Sequence, residues 1–351
     1  MWNAANIWHR GQADLMNMKK RARLMIGILV SVFCLVLAFR GVSIGDLWSL
    51  GRAFPATSMA FYLAIASTSL VLRGARWWVL LAGAGRLRFG NVFAVNCAGQ
   101  LGNNVLPARL GDLFRAANLI RSGASSGFSL ATIFVERVLD TGLLVLLASG
   151  ALRGLGSLPW LTRASSIVAA AALAGLGLAL ALPLVEARLV ELTRRTLPVR
   201  WHARAEGLIE QFALGLRSLR RPRTVFAFFA LSAAIWFLDG FGLWLLARAA
   251  GLMLSPAMIA LLLTSLALSS AIPAAPGNAG VYQAVAVTVL APFGAARAPA
   301  LVFAVIWQAL IVIDLLVWGL ASLWFLSRQK LLISFRLGGW LQAAGPNPDA
   351  I

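Results

Sequence analysis

Several ionisable residues of this chain lie inside or beside long apolar runs, where lipid would surround them. Glu136 and Asp140 are four positions apart, so one helix face would carry both carboxylates, with Arg137 on a neighbouring face. A charge at the bilayer centre costs about 2.5–3.5 kcal/mol on insertion scales, so such side chains should face the protein interior and pair. They either pin helices together or bind an ionic ligand. The residues with this pattern are Arg73, Arg76, Arg109, Asp112, Arg115, Glu136, Arg137, Asp140, Asp239 and Asp314.

Arg109 differs from the other basic residues because it follows Leu106-Pro107, where a helix is expected to break. An arginine can hold a phosphate through two parallel hydrogen bonds, and a broken helix leaves backbone N–H groups free beside it. We therefore predict that Arg109 and Arg115 bind a phosphate headgroup. For Arg73, Arg76 and Arg115 an ordinary alternative stays open, in which long side chains extend to the cytoplasmic surface.

Two segments within the hydrophobic sequence cannot be uniform membrane helices. Residues 96–112 and 271–283 are both dense in Gly, Pro and Asn, which interrupt helices and leave backbone groups without partners. In a membrane such groups are tolerated only against protein or a wet cavity, and paired breaks indicate a transporter's binding site. The breaks add seven candidate ligand residues, namely Asn103, Pro276, Gly277, Asn278, Gly280, Tyr282 and Gln283.

Composition identifies a membrane protein. The 351 residues are 60% hydrophobic and 12% charged, and the mean hydropathy is +0.83. The net charge of +19 does not indicate nucleic acid, because the basic residues are scattered between apolar runs, as in cytoplasmic loops that face anionic headgroups. The two cysteines and two histidines define neither a disulfide framework nor a metal centre, and we expect no cofactor.

Apolar runs and loop charge predict an all-α polytopic protein with six spans and two re-entrant hairpins. The spans are 24–40, 58–80, 128–150, 166–185, 224–247 and 299–326, and the hairpins are 89–120 and 256–296. With this arrangement 24 of the 31 basic residues fall on one side and six on the other. By the positive-inside rule both termini, 1–23 and 327–351, are cytoplasmic, in a bacterial-type inner membrane. The 24–40 run resembles a signal peptide but lacks a small-x-small cleavage site, so it is predicted to stay as a span.

The same arrangement predicts an inverted repeat. The order span, span, hairpin, span occurs in 24–150 and again in 166–326, with the second copy starting from the opposite face. A basic linker, 186–223, interrupts the second copy. Its apolar residues recur at helical spacing, which fits an amphipathic helix on the inner leaflet; a solvated connector is the open alternative.

Four motifs occur in order along the chain, at Arg73-x-x-Arg76-Trp77, Gly102-Asn103-x-x-Leu106-Pro107-x-Arg109-x-Gly111-Asp112-x-x-Arg115, Glu136-Arg137-x-x-Asp140 and Pro276-Gly277-x-x-Gly280-Val281-Tyr282. Over roughly 20–330 this order resembles the lysylphosphatidylglycerol synthase transmembrane family, also called flippase-like membrane proteins. The resemblance implies a multi-span domain that moves or binds lipids. In full-length synthases a separate soluble domain makes the aminoacylated phospholipid, and no such enzyme domain is expected here.

This chain departs from the family pattern in the second break. Asn278 and Gln283 stand where the family usually has a glycine and an acid, so a proton or cation role for that acid is not carried over.

Four functions fit these patterns to different extents. A lipid translocator or lipid-binding protein for anionic headgroups fits best, and a lipid-synthesising enzyme is a candidate partner. A secondary transporter of a small polar solute, coupled to an ion gradient through Asp140, Asp239 and Asp314, is the alternative. A membrane enzyme acting on lipid-linked sugars needs an acidic site at a membrane face, where the outer loops hold only Asp46. A scaffold has no distinguishing feature. Oligomeric state is not predicted.

Overall fold

The computed structural model describes residues 25, 28–81, 87–106, 110–121, 126–154, 159–217, 221–270, 272 and 274–329. The described residues form twelve α-helices. Their bounds are α1 Ile28–Phe39, α2 Ile44–Arg52, α3 Ala56–Leu80, α4 Phe89–Val105, α5 Leu110–Arg121, α6 Ser126–Gly154, α7 Pro159–Thr196, α8 Val199–Arg217, α9 Pro222–Ala249, α10 Pro256–Ser269, α11 Val281–Leu290 and α12 Arg297–Arg328. Short 3-10 turns at Pro276–Asn278 and Ala291–Phe293 precede and follow α11.

Three helices of the described part, α3, α9 and α12, are long and apolar enough to cross a membrane, and α1 with α2 makes a fourth if that bent pair is one span. These helices contain the predicted spans 58–80, 224–247 and 299–326. The predicted spans 128–150 and 166–185 are helical within α6 and α7, but neither helix meets the same length and composition test. The protein is therefore an all-α, multi-pass membrane protein, while the count of six spans stays a prediction.

The first apolar run ends in a sharp bend. α1 and α2 meet at 84°, across a break of four residues in which Gly41 takes a left-handed conformation, with φ of 76°. Ser43 then starts α2, because its Oγ accepts a hydrogen bond from Asp46 N at 3.0 Å. The predicted N-terminal segment 1–23, and residues 330–351 of the predicted tail 327–351, lie outside the described residues.

The predicted hairpin segments fold as two pairs of shorter helices that pack against each other, α4 with α5 and α10 with α11. Several helix pairs connect the first half of the chain to the second. α3 packs against α9, α4 packs against α12, and α10 packs against α6. The linker segment 186–223 is largely helical, because α7 continues to Thr196 and α8 follows after two residues.

Glycines let α4 and α5 approach closely. A Cβ built on Gly111 would overlap the backbone oxygen of Gly99 and crowd the backbone N and Oδ1 of Asn103. A Cβ on Gly102 would lie 3.0 Å from Gly111 Cα. Because backbone atoms cannot rotate away as a side chain can, this helix pair keeps its spacing only with glycine at these positions.

We expect Gly111→Ala to lower the thermal stability of the purified protein, since overpacking at such a contact costs about 1–3 kcal/mol. The matched control is Gly150→Ala in α6, where an added Cβ meets nothing within 4 Å. Size-exclusion chromatography after heating in detergent measures both. Equal melting temperatures for the two variants would show that the α4–α5 contact is looser than described.

Candidate functional site

Arg76 on α3 lies at the centre of a buried charged network. Its guanidinium bonds Asp140 twice, through Nη1 to Oδ1 at 2.5 Å and through Nη2 to Oδ2 at 2.8 Å, and Nη2 reaches Glu136 Oε1 at 2.9 Å. Ser232 of α9 accepts a further bond at 3.1 Å. The arginine is 1% exposed; both Nη atoms are hydrogen-bonded, whereas the buried Nε has no hydrogen-bond partner among the described residues. Because Glu136 and Asp140 lie on one helix face, both carboxylates contact the same cation, Arg76.

Glu136 bridges two arginines. Its Oε2 accepts a 2.6 Å hydrogen bond from Nη2 of Arg115 on α5, while Oε1 is bonded to Arg76. The guanidinium of Arg115 also lies 4.2 Å from the ring centroid of Trp77, a cation–π contact from α3. Both arginines and Glu136 are almost fully buried. One carboxylate therefore joins α3, α5 and α6.

Arg137 and Asp112 form the more accessible end of the network. Nη2 of Arg137 lies 2.8 Å from Asp112 Oδ1 and 3.0 Å from Oδ2, and Nε lies 3.2 Å from Oδ2. Asn103 orients Asp112 from α4, since its Nδ2 donates to Oδ1 and its Oδ1 accepts from the Asp112 backbone N, both at 3.0 Å. The Arg137 side chain is 33% exposed, and its Nη1 has no hydrogen-bond partner among the described residues.

The network contains equal numbers of positive and negative groups. Three arginines, Arg76, Arg115 and Arg137, face three carboxylates, Asp112, Glu136 and Asp140. Buried charges of opposite sign that are paired and hydrogen-bonded satisfy each other, and breaking one pair strands a charge. Arg76 and Arg115 are thus committed to internal partners in this conformation.

The second break is ordered by amides rather than by charge. Gln308 of α12 donates from Nε2 to Gly277 O at 2.6 Å, and its Oε1 accepts from Gln283 Nε2. Gln283 Oε1 in turn accepts from Gly280 N at 2.8 Å, which caps the start of α11. Gly277 and Gly280 both take positive φ, 73° and 88°, so glycine suits these positions.

The two breaks lie next to each other. Oδ1 of Asn104, at the end of α4, is 3.4 Å from the position that a Cβ on Gly277 would take, and Asn103 beside it holds Asp112. α1 also reaches this place, since Ser31 Oγ accepts from Ala275 N at 2.8 Å. We call this place the break junction, defined by residues 103–104 and 275–280.

Three other predicted residues lie outside the charged network. Arg73 bonds Asp239 of α9, whose Oδ1 also accepts from Ser69 at 2.6 Å. Asp314 of α12 accepts from Ser67 Oγ at 2.6 Å. The predicted interior pairing holds for Asp239 with Arg73, whereas Asp314 has a hydroxyl partner and no ion pair among the described residues.

Most sequence-predicted residues fall into two neighbouring groups. The first group is the charged network, which contains Arg76, Asn103, Asp112, Arg115, Glu136, Arg137 and Asp140. The second group is the second break, which contains Pro276, Gly277, Asn278, Gly280, Tyr282 and Gln283. Within it, Asn278 Nδ2 lies 3.1 Å from Tyr282 Oη. Arg109 lies outside the described residues. Sequence reasoning did not select Gln308, Asn104, Ser31 or Ser67; a lone amide within the apolar run of α12 was a signal for Gln308.

We expect Arg76→Gln to destabilise the protein by about 3–5 kcal/mol, because Asp140 would stay buried without its cation. Adding Asp140→Asn should restore part of that loss, since the stranded charge disappears. Arg195→Gln, which breaks the exposed Arg195–Glu191 pair on α7, is the control and should change little. Unfolding in detergent, followed by tryptophan fluorescence, compares the four proteins. A double variant no more stable than Arg76→Gln would contradict direct coupling of this pair.

Comparison with known proteins places these groups in a family. No curated protein matches the chain. A family model described as "Lysylphosphatidylglycerol synthase TM region" matches residues 24–319, a range that contains the charged network and both breaks. This family is linked to lipid modification and translocation. The chain belongs to the lysylphosphatidylglycerol synthase transmembrane-region family.

Proposed function

We propose that this protein translocates or binds a membrane lipid with an anionic headgroup, in a bacterial-type cytoplasmic membrane with both termini inside. The observation that carries the proposal is the break junction, where two interrupted segments from different halves of the chain meet beside a charged network. Irregular backbone at this depth is tolerated where it lines a polar cavity, so the junction is the place for a headgroup to cross.

The α3–α9, α4–α12 and α6–α10 contacts support an inverted repeat. They fit a correspondence in which α3, α4, α5 and α6 of the first half match α9, α10, α11 and α12 of the second. The α4–α12 contact then corresponds to α10–α6, and α3–α9 corresponds to itself. With the breaks entering as re-entrant hairpins from opposite faces, such an architecture gives alternating access to one central site.

Arg109 and Arg137 are the proposed headgroup ligands. Since Arg115 is buried and bonded to Glu136, it acts by holding α5 rather than by touching the lipid. Nη1 of Arg137 has no hydrogen-bond partner among the described residues and the side chain is one-third exposed, so it can donate to a phosphate oxygen while it keeps Asp112. Arg109 precedes α5 by one residue and supplies the second cation.

The acyl chains would remain in the bilayer beside α1. Leu29, Val32, Phe33 and Val36 of α1 are all more than half exposed, while Ser31 and Leu35 of the same helix face the second break. A lipid could therefore keep its chains on the apolar side of α1 with its headgroup at the break junction.

We expect native mass spectrometry of the purified protein to show selective retention of an anionic lipid relative to the source membrane. Arg109→Ala and Arg137→Ala should each weaken that retention about tenfold, equivalent to one charge-assisted hydrogen bond of about 1.5 kcal/mol. Arg52→Ala is the matched control, because Arg52 is exposed over Trp48 on α2, away from the junction. Retention of bulk lipid alone, unchanged by either variant, would overturn the headgroup assignment.

A secondary transporter of a small polar solute is the second candidate function. It is favoured by the uncharged amides of the second break, Asn278, Gln283 and Gln308, which suit hydroxyl and amide ligands. Solute uptake by proteoliposomes that is driven by an ion gradient and indifferent to lipid identity would favour this candidate over lipid handling.

A further inference from the structure

Asp314 differs from the other acids in the membrane part of the described chain. Asp112, Glu136, Asp140 and Asp239 each bond an arginine. Asp314 lies near the middle of α12 and is only 7% exposed, yet no Lys, Arg or His of the described residues forms an ion pair with it. An isolated buried carboxylate is costly in such a place, and the cost disappears when it binds a proton.

Under the proposed repeat, Asp314 of the second half can be compared with Asp140 of the first half. Asp140 lies near the middle of α6, and α12 is the counterpart of α6 in the second half. In the first half the acid is balanced by Arg76 from α3. Asp314 on α12 instead accepts from the Ser67 hydroxyl of α3, at 2.6 Å, and no described residue of α9, the counterpart of α3, forms an ion pair with it. The two halves therefore hold one carboxylate as a permanent ion pair and one without a counter-ion.

Hydrogen-bond directions define which oxygen can take a proton. Trp318 Nε1 can only donate, and it donates to Ser67 Oγ at 2.9 Å. The single Ser67 hydroxyl hydrogen therefore points to Asp314 Oδ1. Oδ2 accepts no hydrogen bond from the described residues, so it is the oxygen on which a proton would reside.

The titratable groups around Asp314 come from α3, α4 and α9. From α3, Tyr62 is nearby and Arg73 is committed to Asp239 of α9. From α4, Cys97 is fully buried beside Ser322 and within electrostatic range of Asp314. The remaining neighbours of α12 contact it elsewhere: Tyr282 of α11 packs on Trp307, and the charged residues of α2, Asp46 and Arg52, are exposed.

A metal cation fits this place poorly. Hard cations take several oxygen ligands, and the described residues supply Asp314 with only one hydroxyl oxygen within hydrogen-bond distance. No group of three or more His, Cys, Asp or Glu side chains suitable for a metal occurs in the described part of the chain.

We propose that Asp314 is a proton-binding site that couples transport to a proton gradient. On one side of the membrane a hydronium ion gives its proton to Oδ2, so an O–H bond of hydronium breaks as the carboxyl O–H bond forms and the group becomes neutral. On the other side the carboxyl O–H bond breaks, and a water molecule takes the proton as hydronium. The coupling rests on the proposed transport function, whereas proton binding does not.

Infrared spectroscopy tests proton binding without any transport. A protonated carboxylic acid has a carbonyl stretching band that an ionised carboxylate lacks. We expect this band at pH 7 in the unmodified protein, lost in Asp314→Asn and retained at a shifted frequency in Asp314→Glu. Asp239→Asn is the matched control and should leave the band in place, because Asp239 contacts the guanidinium of Arg73. A band that survives Asp314→Asn overturns the proposal.

Proteoliposomes with an imposed pH gradient test coupling. The probe is a fluorescent anionic phospholipid whose movement between leaflets is measured with and without the gradient. We expect the gradient to change the rate in the unmodified protein and to have no effect in Asp314→Asn, whose amide mimics the protonated acid. The same gradient response in Asp314→Asn overturns coupling. No protein-dependent lipid movement under any condition overturns the proposed lipid function, while the infrared result still decides the proton site.

Discussion

Glu136 shared between Arg76 and Arg115 is the interaction on which the rest of this structure depends. It lies where three helices meet and is only 2% exposed, so neither arginine has an alternative partner in water. Arg115 ties the short α5 to α6 through Glu136 and to α3 through Trp77, beside the apolar contacts of Phe114 and Leu119. The first break is thereby held against the charged network, and Asn103 links that network to the break junction through its hydrogen bond to Asp112.

The charged network and the second break are held together by different kinds of interaction. The charged network has no net charge and consists of ion pairs that are costly to separate. Such a network suits a part of the protein that stays fixed. The second break is held by single amide hydrogen bonds from Gln283 and Gln308 and by two glycines of positive φ. Such bonds can exchange partners at low cost, which suits an element that moves. In the proposed function a lipid headgroup would pass between a fixed side and a mobile side.

Residue spacing in the sequence predicted those features of the site that depend on a single helix. The four-residue interval between Glu136 and Asp140 placed both acids on one face, and both contact Arg76. Arg137, expected on a neighbouring face, binds Asp112 instead. Partners across the chain could not be predicted in this way. Nothing in the sequence near Asp314 indicates that Ser67, 247 residues away, is its partner, because that contact depends on how α3 and α12 pack. The Gly- and Pro-rich segments predicted where helices break, but not that the two breaks meet.

In the proposed function the break junction opens and closes as a lipid moves, and a cross-link across it is the most direct test. Asn104→Cys and Asn278→Cys would be combined in a protein whose native Cys34 and Cys97 are replaced by Ser, then bridged with a short reducible thiol reagent. Leaflet exchange of a fluorescent anionic phospholipid in proteoliposomes is the readout. We expect exchange to stop when the bridge is formed and to return when it is reduced, with no effect of the reagent on either single-cysteine protein. Equal exchange in the bridged and reduced states would contradict the account.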